Sequence, residues 1–408
     1  MASDTRNLIK AQITKKGEAH LRAGHPWVYD SEVISLESPC EDGSLVEVTS
    51  PKGRYLGTGF YNSCSKIRIR VISTNANDRF DRDFFRRRLC HAWEYRKTVM
   101  GADINCCRLI FGEADLFPGL TVDRFGEILV TQTLSLGIER LKPLLFPKLY
   151  RLLAEDGQTI RGIYERNDVA IRKLEGMAEN KGFFPLDGVS VPNSTKTQIT
   201  ENGIRYTVDF ENGQKTGFFL DQKYNRRAAA ALAPGKRVLD CFTHTGSFAL
   251  NAAKAGASHV HAVDISGDAV EMARRNACLN GLESKMSFET ANVFDLLPAL
   301  SGHPYDYIIL DPPAFTKSHQ TVEAAMRGYK EINLRAMKLL PRGGYLATCS
   351  CSHFMTEDLF CKMLRAAAFD AKVSLRQIEA RQQSPDHPIL WNVPETNYLK
   401  FYLFQVVY

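Results

Sequence analysis

Two cysteines near the end of an apolar run, Cys349 and Cys351 in YLATCSCSHF, are the residues of this chain best suited to nucleophilic chemistry. Upstream lies the segment Asp311-Pro312-Pro313-Ala314-Phe315. Consecutive prolines hold a backbone extended and keep a helix from starting, so Asp311 and Phe315 are expected to project from a rigid loop. An acid, a Pro-Pro step and an aromatic ring suit the gripping of a flat base, with Pro312 and Phe315 against the ring and Asp311 hydrogen-bonding to it. A thiolate beside such a loop can add to C6 of a pyrimidine and make C5 nucleophilic, which methylation at that carbon requires. Alternation puts Cys349 and Cys351 on one face of a strand, so the period does not choose between them. Position favours Cys351, nearer the C-terminal tip. Buried strand cysteines are by default inert hydrophobes, and only the neighbouring acid loop argues otherwise.

A methyl donor has its own candidate site in RVLDCFTHTGSFALNAAKAGASHVHAVD, residues 237–264. The order is strand, glycine-bearing turn, helix, strand, acid, which is a βαβ unit of a nucleotide-binding fold. Gly246 stands in the turn without a G-x-G-x-x-G, so a pyrophosphate has little support. Asp240 at the end of the first strand suits an ammonium group, and Asp264 at the tip of the second suits two ribose hydroxyls. Those two acids together fit S-adenosyl-L-methionine. Asn292, after a third strand, can meet an adenine edge through its amide. The polar-aromatic segment QKTGFFLDQKYNR offers Lys215, Thr216, Phe219 and Gln222 as further contacts.

These residues need elements to position them. From residue 237 onward strand and helix alternate: RVLDCF, HVHAVD, SFETANVF, YDYIILD and GGYLATCSC are strands, with helices around 247–255, 267–280, 322–340 and 356–368. KFYLFQVV closes the chain as a strand at or near the sheet edge. The expectation is a doubly wound, Rossmann-like α/β domain, with its ligands beyond the C-terminal strand ends. Ahead of it, residues up to about 75 alternate with a period of two and form a small β-rich module. In KIRIRV, Lys66, Arg68 and Arg70 share one face, able to meet phosphates or merely water. Residues 76–190 read as an α+β domain: a helix over DRFDRDFFRRRLCHAWEYRKTVM, strands in RLIFGEADLFPGLTVDRFGEILVTQTL, a helix over 141–153, and one or two strands in GIYERNDVAIRKLEGM. The helix carries Arg86, Arg87, Arg88, Arg96 and Lys97 on or near its exposed side, and Glu113, Asp115 and Asp123 are taken as turn and cap residues. A hairpin turns at Asn202-Gly203.

With 408 residues, 44% hydrophobic and 24% charged, the chain has the composition of a globular protein of two or three domains. Its net charge of +6 is compatible with nucleic acid. No apolar run reaches the roughly 18 residues of a membrane span, and MASDTRNLIKAQ lacks a signal-peptide core. The ten cysteines show no zinc spacing, so no metal is expected and the reducing cytoplasm is.

GHPWV, KIRIRV, RLIFGEADLFPGLTVDRFG, RNDVAIRKLEGM, KTGFFLDQ, FTHTGSFAL, DPPAF, GYKEIN, SCS and DHPI occur in this order, and with them the chain resembles the RlmI-like family of S-adenosylmethionine-dependent methyltransferases. Its best-known member makes 5-methylcytosine in large-subunit ribosomal RNA. The resemblance spans nearly the whole length. It implies a PUA-like RNA-binding domain (1–75), a central α+β domain (76–190) and a class I methyltransferase domain (191–408). It implies that the donor lies across Lys215, Thr216, Phe219 and Gln222, Asp240, the Gly246 loop with Phe242, Thr245 and Ser247, Asp264, Asn292 and Asp311. It makes Cys351 the nucleophile and Asp311 the supporting acid. Ala314, Asn292 and His353 depart from the lysine, aspartate and glycine found in that member or usual in the family, and two of them flank the base.

The expected activity is therefore cytosine-C5 methylation of ribosomal RNA, with RNA as the partner, a homodimer left open, and no membrane. The alternatives are base N-methylation on the same loop without a thiol, or a non-catalytic RNA-binding or ribosome-assembly factor.

Overall fold

The computed structural model describes residues 8–302, 304–316 and 318–407, so much of the stretch MASDTRNLIKAQ lies outside the described residues. The chain forms two units. The first comprises Met1–Ile199, Val208–Leu220 and Pro385–Thr396, and the second Thr200–Thr207, Asp221–Ser384 and Asn397–Tyr408. No described helix is long and apolar enough to cross a membrane.

The first unit holds a six-stranded sheet between Lys10 and Ser73, whose core is built from Ala11, Ile13, Val28, Val46, Val48 and Ile69. It also holds a five-stranded sheet between Cys106 and Phe183, accompanied by the helices Arg82–Met100 and Leu136–Glu155. GIYERNDVAIRKLEGM supplies one strand, Gly162–Arg166, followed by a 3-10 turn over Ala170–Glu175. Phe84, Leu89 and Trp93 are buried, as their spacing predicts.

The charged residues here behave differently from expectation. Arg96 is fully buried, not on the solvent side of its helix: its guanidinium forks onto Asp115 at 2.5 and 2.7 Å and donates to the carbonyl of Arg108. Arg70 donates to Glu175 at 2.8 Å and to Glu113 at 3.4 Å, with Trp27 5.7 Å from its guanidinium carbon, so this member of the basic strand face is committed internally. Asp123, also fully buried, receives both arms of Arg108 at 2.7 and 2.8 Å and the hydroxyl of Thr216 at 2.6 Å. Glu113, Asp115 and Asp123 are thus acceptors for buried or half-buried cations and not simply turn residues. A periodicity argument sees a charge; it cannot see that a carboxylate from a distant strand arrives to pair with it.

The second unit is organised on a seven-stranded sheet. Its elements are β1 (Arg237–Cys241), α1 (Ser247–Lys254), β2 (His259–Asp264), α2 (Gly267–Leu279), β3 (Met286–Thr290), α3 (Val293–Ala299), β4 (Tyr307–Leu310), α4 (Val322–Leu339), β5 (Tyr345–Ser350), α5 (Glu357–Ala371), β6 (Ser374–Arg381) and β7 (Lys400–Val407). The strand order is β3-β2-β1-β4-β5-β7-β6. β3, β2, β1, β4 and β5 run parallel, while β7 is antiparallel to both β5 and β6. Order reverses between β1 and β4, which opens a crevice beyond their C-terminal ends. Sequence periodicity missed three elements, the first of them the helix Lys223–Ala230 ahead of β1. β6 has an alternating but largely exposed pattern; it takes the edge, and β7 lies next to it, near the edge as expected. α3, at seven residues, is too short to show a helical period. At Asn202-Gly203 both turn residues have positive φ, 52° and 74°, the backbone of a type I′ hairpin.

Replacing Asp115 by Ala leaves the Arg96 guanidinium buried without its carboxylate. The expected loss is about 3–5 kcal/mol, read as a lower urea midpoint for the unfolding of the first unit. An unchanged midpoint would mean that this pair contributes nothing.

Candidate active site

The three acids singled out from sequence are brought together at the strand tips. Asp240 is wholly buried in β1, where Thr243 donates to its Oδ2 at 2.6 Å and the Ala249 amide at 2.9 Å. Its Oδ1, also buried, has no hydrogen-bond partner. Burial pushes this carboxyl up to about 7, against the Thr243 hydrogen bond, and the charges of Asp311 and Asp264 add to the rise. An orphaned carboxylate oxygen in a dry site is costly unless a ligand donor meets it. Asp264 ends β2 and accepts from the His244 amide at 2.8 Å and the Ser266 amide at 3.0 Å, which fixes its carboxylate at the rim.

Between these acids the chain turns sharply. Phe242, His244 and Gly246 all have left-handed φ, at 63°, 50° and 83°. Non-glycine residues adopt this region at a cost on the order of 1–3 kcal/mol each, and such strain gathers at ligand loops. At Gly246 a Cβ would come within 3.0 Å of Ala273, so glycine is needed for close packing as well as for its φ. Thr245 keeps a buried hydroxyl oxygen with no partner, and the Ser247 hydroxyl accepts from Arg226 at 3.3 Å. Asn292 caps α3: its Oδ1 accepts from the Phe294 amide at 3.1 Å and its Nδ2 donates to Asp295.

Asp311 follows β4. Gln222 donates to its Oδ1 at 3.0 Å. The amide of Gln222 is oriented in turn, because its Oε1 accepts from Asn225 at 2.7 Å, and the Asn225 oxygen accepts from Arg381. Burial, then the charge of Asp221, push the Asp311 carboxyl up to about 6, against Arg226 and hydrogen bonds from Gln222 and Cys349. Pro312 is buried and Pro313 exposed. The half-buried Phe315 ring packs 4.5 Å from Tyr329, 5.8 Å from Phe294 and 6.4 Å from Phe242.

Surroundings separate the two cysteines that the strand period leaves equivalent. Cys349 is fully buried and bonded to Asp311; burial and that charge push its thiol well above the usual range, so it stays neutral. Cys351, just past β5, is half-exposed. The serines on either side are tied to one hydroxyl: Ser350 donates to the Oη of Tyr329 at 3.1 Å, and Ser352 lies 3.3 Å from it. That clamp, together with Asn225, Arg381 and Lys400, was missed from sequence. GYKEIN did contain Tyr329, but nothing in the motif pointed to the serines.

Lys215, Thr216 and Phe219 belong to the first unit. There the Lys215 ammonium lies 4.4 Å from the Phe219 ring centroid, and Thr216 is held by Asp123 as described above.

Residues 188–405 match the S-adenosylmethionine-dependent methyltransferase family, and residues 11–74 match the PUA-like domain. The chain belongs to this methyltransferase family. It is 39% identical over 403 residues to the proteins named ribosomal RNA large subunit methyltransferase I from Escherichia coli strains SMS-3-5 and O1:K1, covering 98% of this chain and 100% of theirs. Its fold matches that of a Streptococcus mutans protein described as an S-adenosylmethionine-dependent methyltransferase, with TM-score 0.80 and 22% identity over 98% of this chain and 100% of that one. It equally matches a methyltransferase structure in complex with SAH, with TM-score 0.81 at the same identity and coverage. The Rossmann-like C-terminal domain and the PUA-like N-terminal domain expected from sequence are both present, and S-adenosyl-L-methionine is the cofactor. The orphaned Oδ1 of Asp240, the orphaned hydroxyl of Thr245 and the close-packed Gly246 turn fit such a group.

Because the Asp240 carboxyl titrates near 7 when folded and near 4 when unfolded, its contribution to stability is present at low pH and is lost as pH rises toward 7. The ligand-free protein should lose about 2 kcal/mol relative to Asp240→Asn between about pH 5.5 and pH 8. Parallel denaturation curves for both proteins across this range would contradict it.

Proposed function

We propose that this protein is a cytoplasmic RNA methyltransferase that forms 5-methylcytosine in large-subunit ribosomal RNA, through a covalent bond from Cys351 to C6 of the base. The observation that carries this reading is the division of labour at the β4 and β5 tips: a neutral, buried Cys349 against Asp311, and an accessible Cys351 beside them. The names of the E. coli relatives supply the RNA class. In this reading residues 1–75 and 76–190 present RNA, and residues 191–408 carry out the transfer.

S-adenosyl-L-methionine supplies a methyl group on a sulfonium. Asp240 would hold its ammonium, Asp264 its ribose hydroxyls and Asn292 its adenine edge through the second lone pair of Oδ1. Phe242, Thr245, Gly246 and Ser247 would form the turn beneath it, with Gln222 as a further contact. The outer face of the half-buried Phe315 would stack on the cytosine; Pro312, expected from sequence to share that contact, is buried and holds the loop extended instead.

The Cys351 thiolate adds to C6, and the electron pair of the C5–C6 double bond becomes available at C5 as N3 takes the proton held by Asp311. A carboxyl raised to about 6 carries that proton far more often than an ordinary aspartate. C5 takes the methyl, leaving the donor's bonding pair on its sulfur. The C5 proton then leaves to water, the freed pair re-forms the double bond and expels the thiolate, and N3 returns its proton to Asp311. Cys349, held neutral, serves only as a hydrogen-bond partner of that acid.

Cys351→Ala should lower methyl transfer by at least about a thousandfold while its calorimetric affinity for S-adenosylmethionine stays within about twofold of wild type. Full activity in this variant would sink the covalent route and favour transfer to an exocyclic amine. Intact RNA binding with no affinity for S-adenosylmethionine in the wild type would instead indicate an assembly factor. Bisulfite mapping of ribosomal RNA from a strain lacking the protein should show one cytosine that loses its methyl group.

A further inference from the structure

We propose that Lys400 is a positioning residue for the nucleophile, its ammonium serving as the fixed counter-ion of the Cys351 thiolate. The inference rests on the reading of Cys351 as the attacking group, and it concerns a residue that no motif in the sequence singles out.

Lys400 opens β7, whose antiparallel pairing with β5 sets it opposite Ser350, next in the chain to Cys351. Its side chain is buried. Two of its N–H groups are spent on neutral carbonyls, Ser352 at 2.6 Å and Tyr398 at 2.8 Å. Those bonds anchor Nζ between the β5 tip and the segment leading into β7, and the first grips the residue that follows Cys351. No carboxylate forms an ion pair with Lys400 among the described residues. Glu357, an acid whose charge acts on it, takes the Tyr402 hydroxyl at 2.6 Å.

A buried ammonium that meets only carbonyls is an expensive arrangement, since two neutral acceptors do not offset the loss of water around a full charge. Burial lowers the Lys400 ammonium to about 8, and the foremost opposing influence is the charge of Cys351, ahead of Glu357. The bond to the Ser352 carbonyl sets Nζ at the residue after Cys351, and the thiolate is the anion the proposal gives it. The converse holds for Cys351. A free thiol titrates near 8.5 and is a minority thiolate at neutral pH, whereas a lysine alongside lowers that value. The thiol proton leaves to solvent, which the half-exposed Cys351 reaches, and the charge left on sulfur is held by Lys400 until it attacks C6. Tyr329 grips the two flanking serines and Lys400 grips the Ser352 carbonyl, so the sulfur is held in place while its charge is balanced.

The test reads thiol acidity without turnover. Iodoacetamide labelling is followed residue by residue by mass spectrometry across pH, with the exposed Cys64 and Cys278 as internal standards. In the wild type the labelling midpoint of Cys351 should fall below those of Cys64 and Cys278. Lys400→Met should raise the Cys351 midpoint by about one unit and cut its labelling at neutral pH about tenfold, leaving S-adenosylmethionine affinity unchanged. Lys400→Arg, which keeps the charge, should restore the low midpoint. An unmoved midpoint in Lys400→Met overturns the proposal. If that variant does not fold, a wild-type Cys351 midpoint at or above the two standards overturns it as well. A midpoint that shifts as expected, while Cys351→Ala still methylates RNA, would leave the ion pair standing and defeat only the covalent reading.

Discussion

A carboxylate held dry at the end of a central strand is the constraint around which the catalytic unit is arranged. Asp240 reaches no solvent, yet one of its oxygens lacks a partner. A protein that kept such a group only for stability would do better with an apolar residue of similar size. The arrangement makes sense as half of an interaction, completed when a cationic ligand arrives. The strained turn beyond Asp240 and the glycine that lets two helices approach belong to the same design: the turn brings the His244 amide onto Asp264 and fixes that carboxylate.

The same crevice handles three other charges by quite different means. Asp311 is partly exposed and is wired to Gln222, Asn225 and Arg381; Arg226 and the Gln222 bond oppose the rise of its carboxyl. Cys349 is silenced by burial against that acid, and Cys351, two residues along, is left open beside a lysine. Two chemically identical side chains two residues apart thus meet different surroundings, one sealed against an acid and the other partly exposed just past the strand. Burial and the nearest charge decide the matter, not the residue type.

Much of this was legible in the sequence. The βαβ order, the acids at positions 240, 264 and 311, the Pro-Pro loop and the cysteine pair all depend on local patterns: period, turn chemistry and spacing. Local patterns failed where partners come from afar. Arg96 lay on a helix with a basic run, and only Asp115 arriving from another element made it a core residue. β6, which forms the rim, went unseen because it carries too few buried positions to announce itself.

What the sequence by itself determined was the class of fold, the identity of the bound donor and a short list of reactive groups. These follow from residue order, which sets strand tips and turns without reference to distant chain. What only the tertiary structure decided was the state of each group: which acid is orphaned, which thiol is neutral, and which lysine stands beside the other. Those are properties of the local electric environment. In this unit that environment is made by strands that are adjacent in the sheet and far apart in the chain, as β5 and β7 are around Cys351.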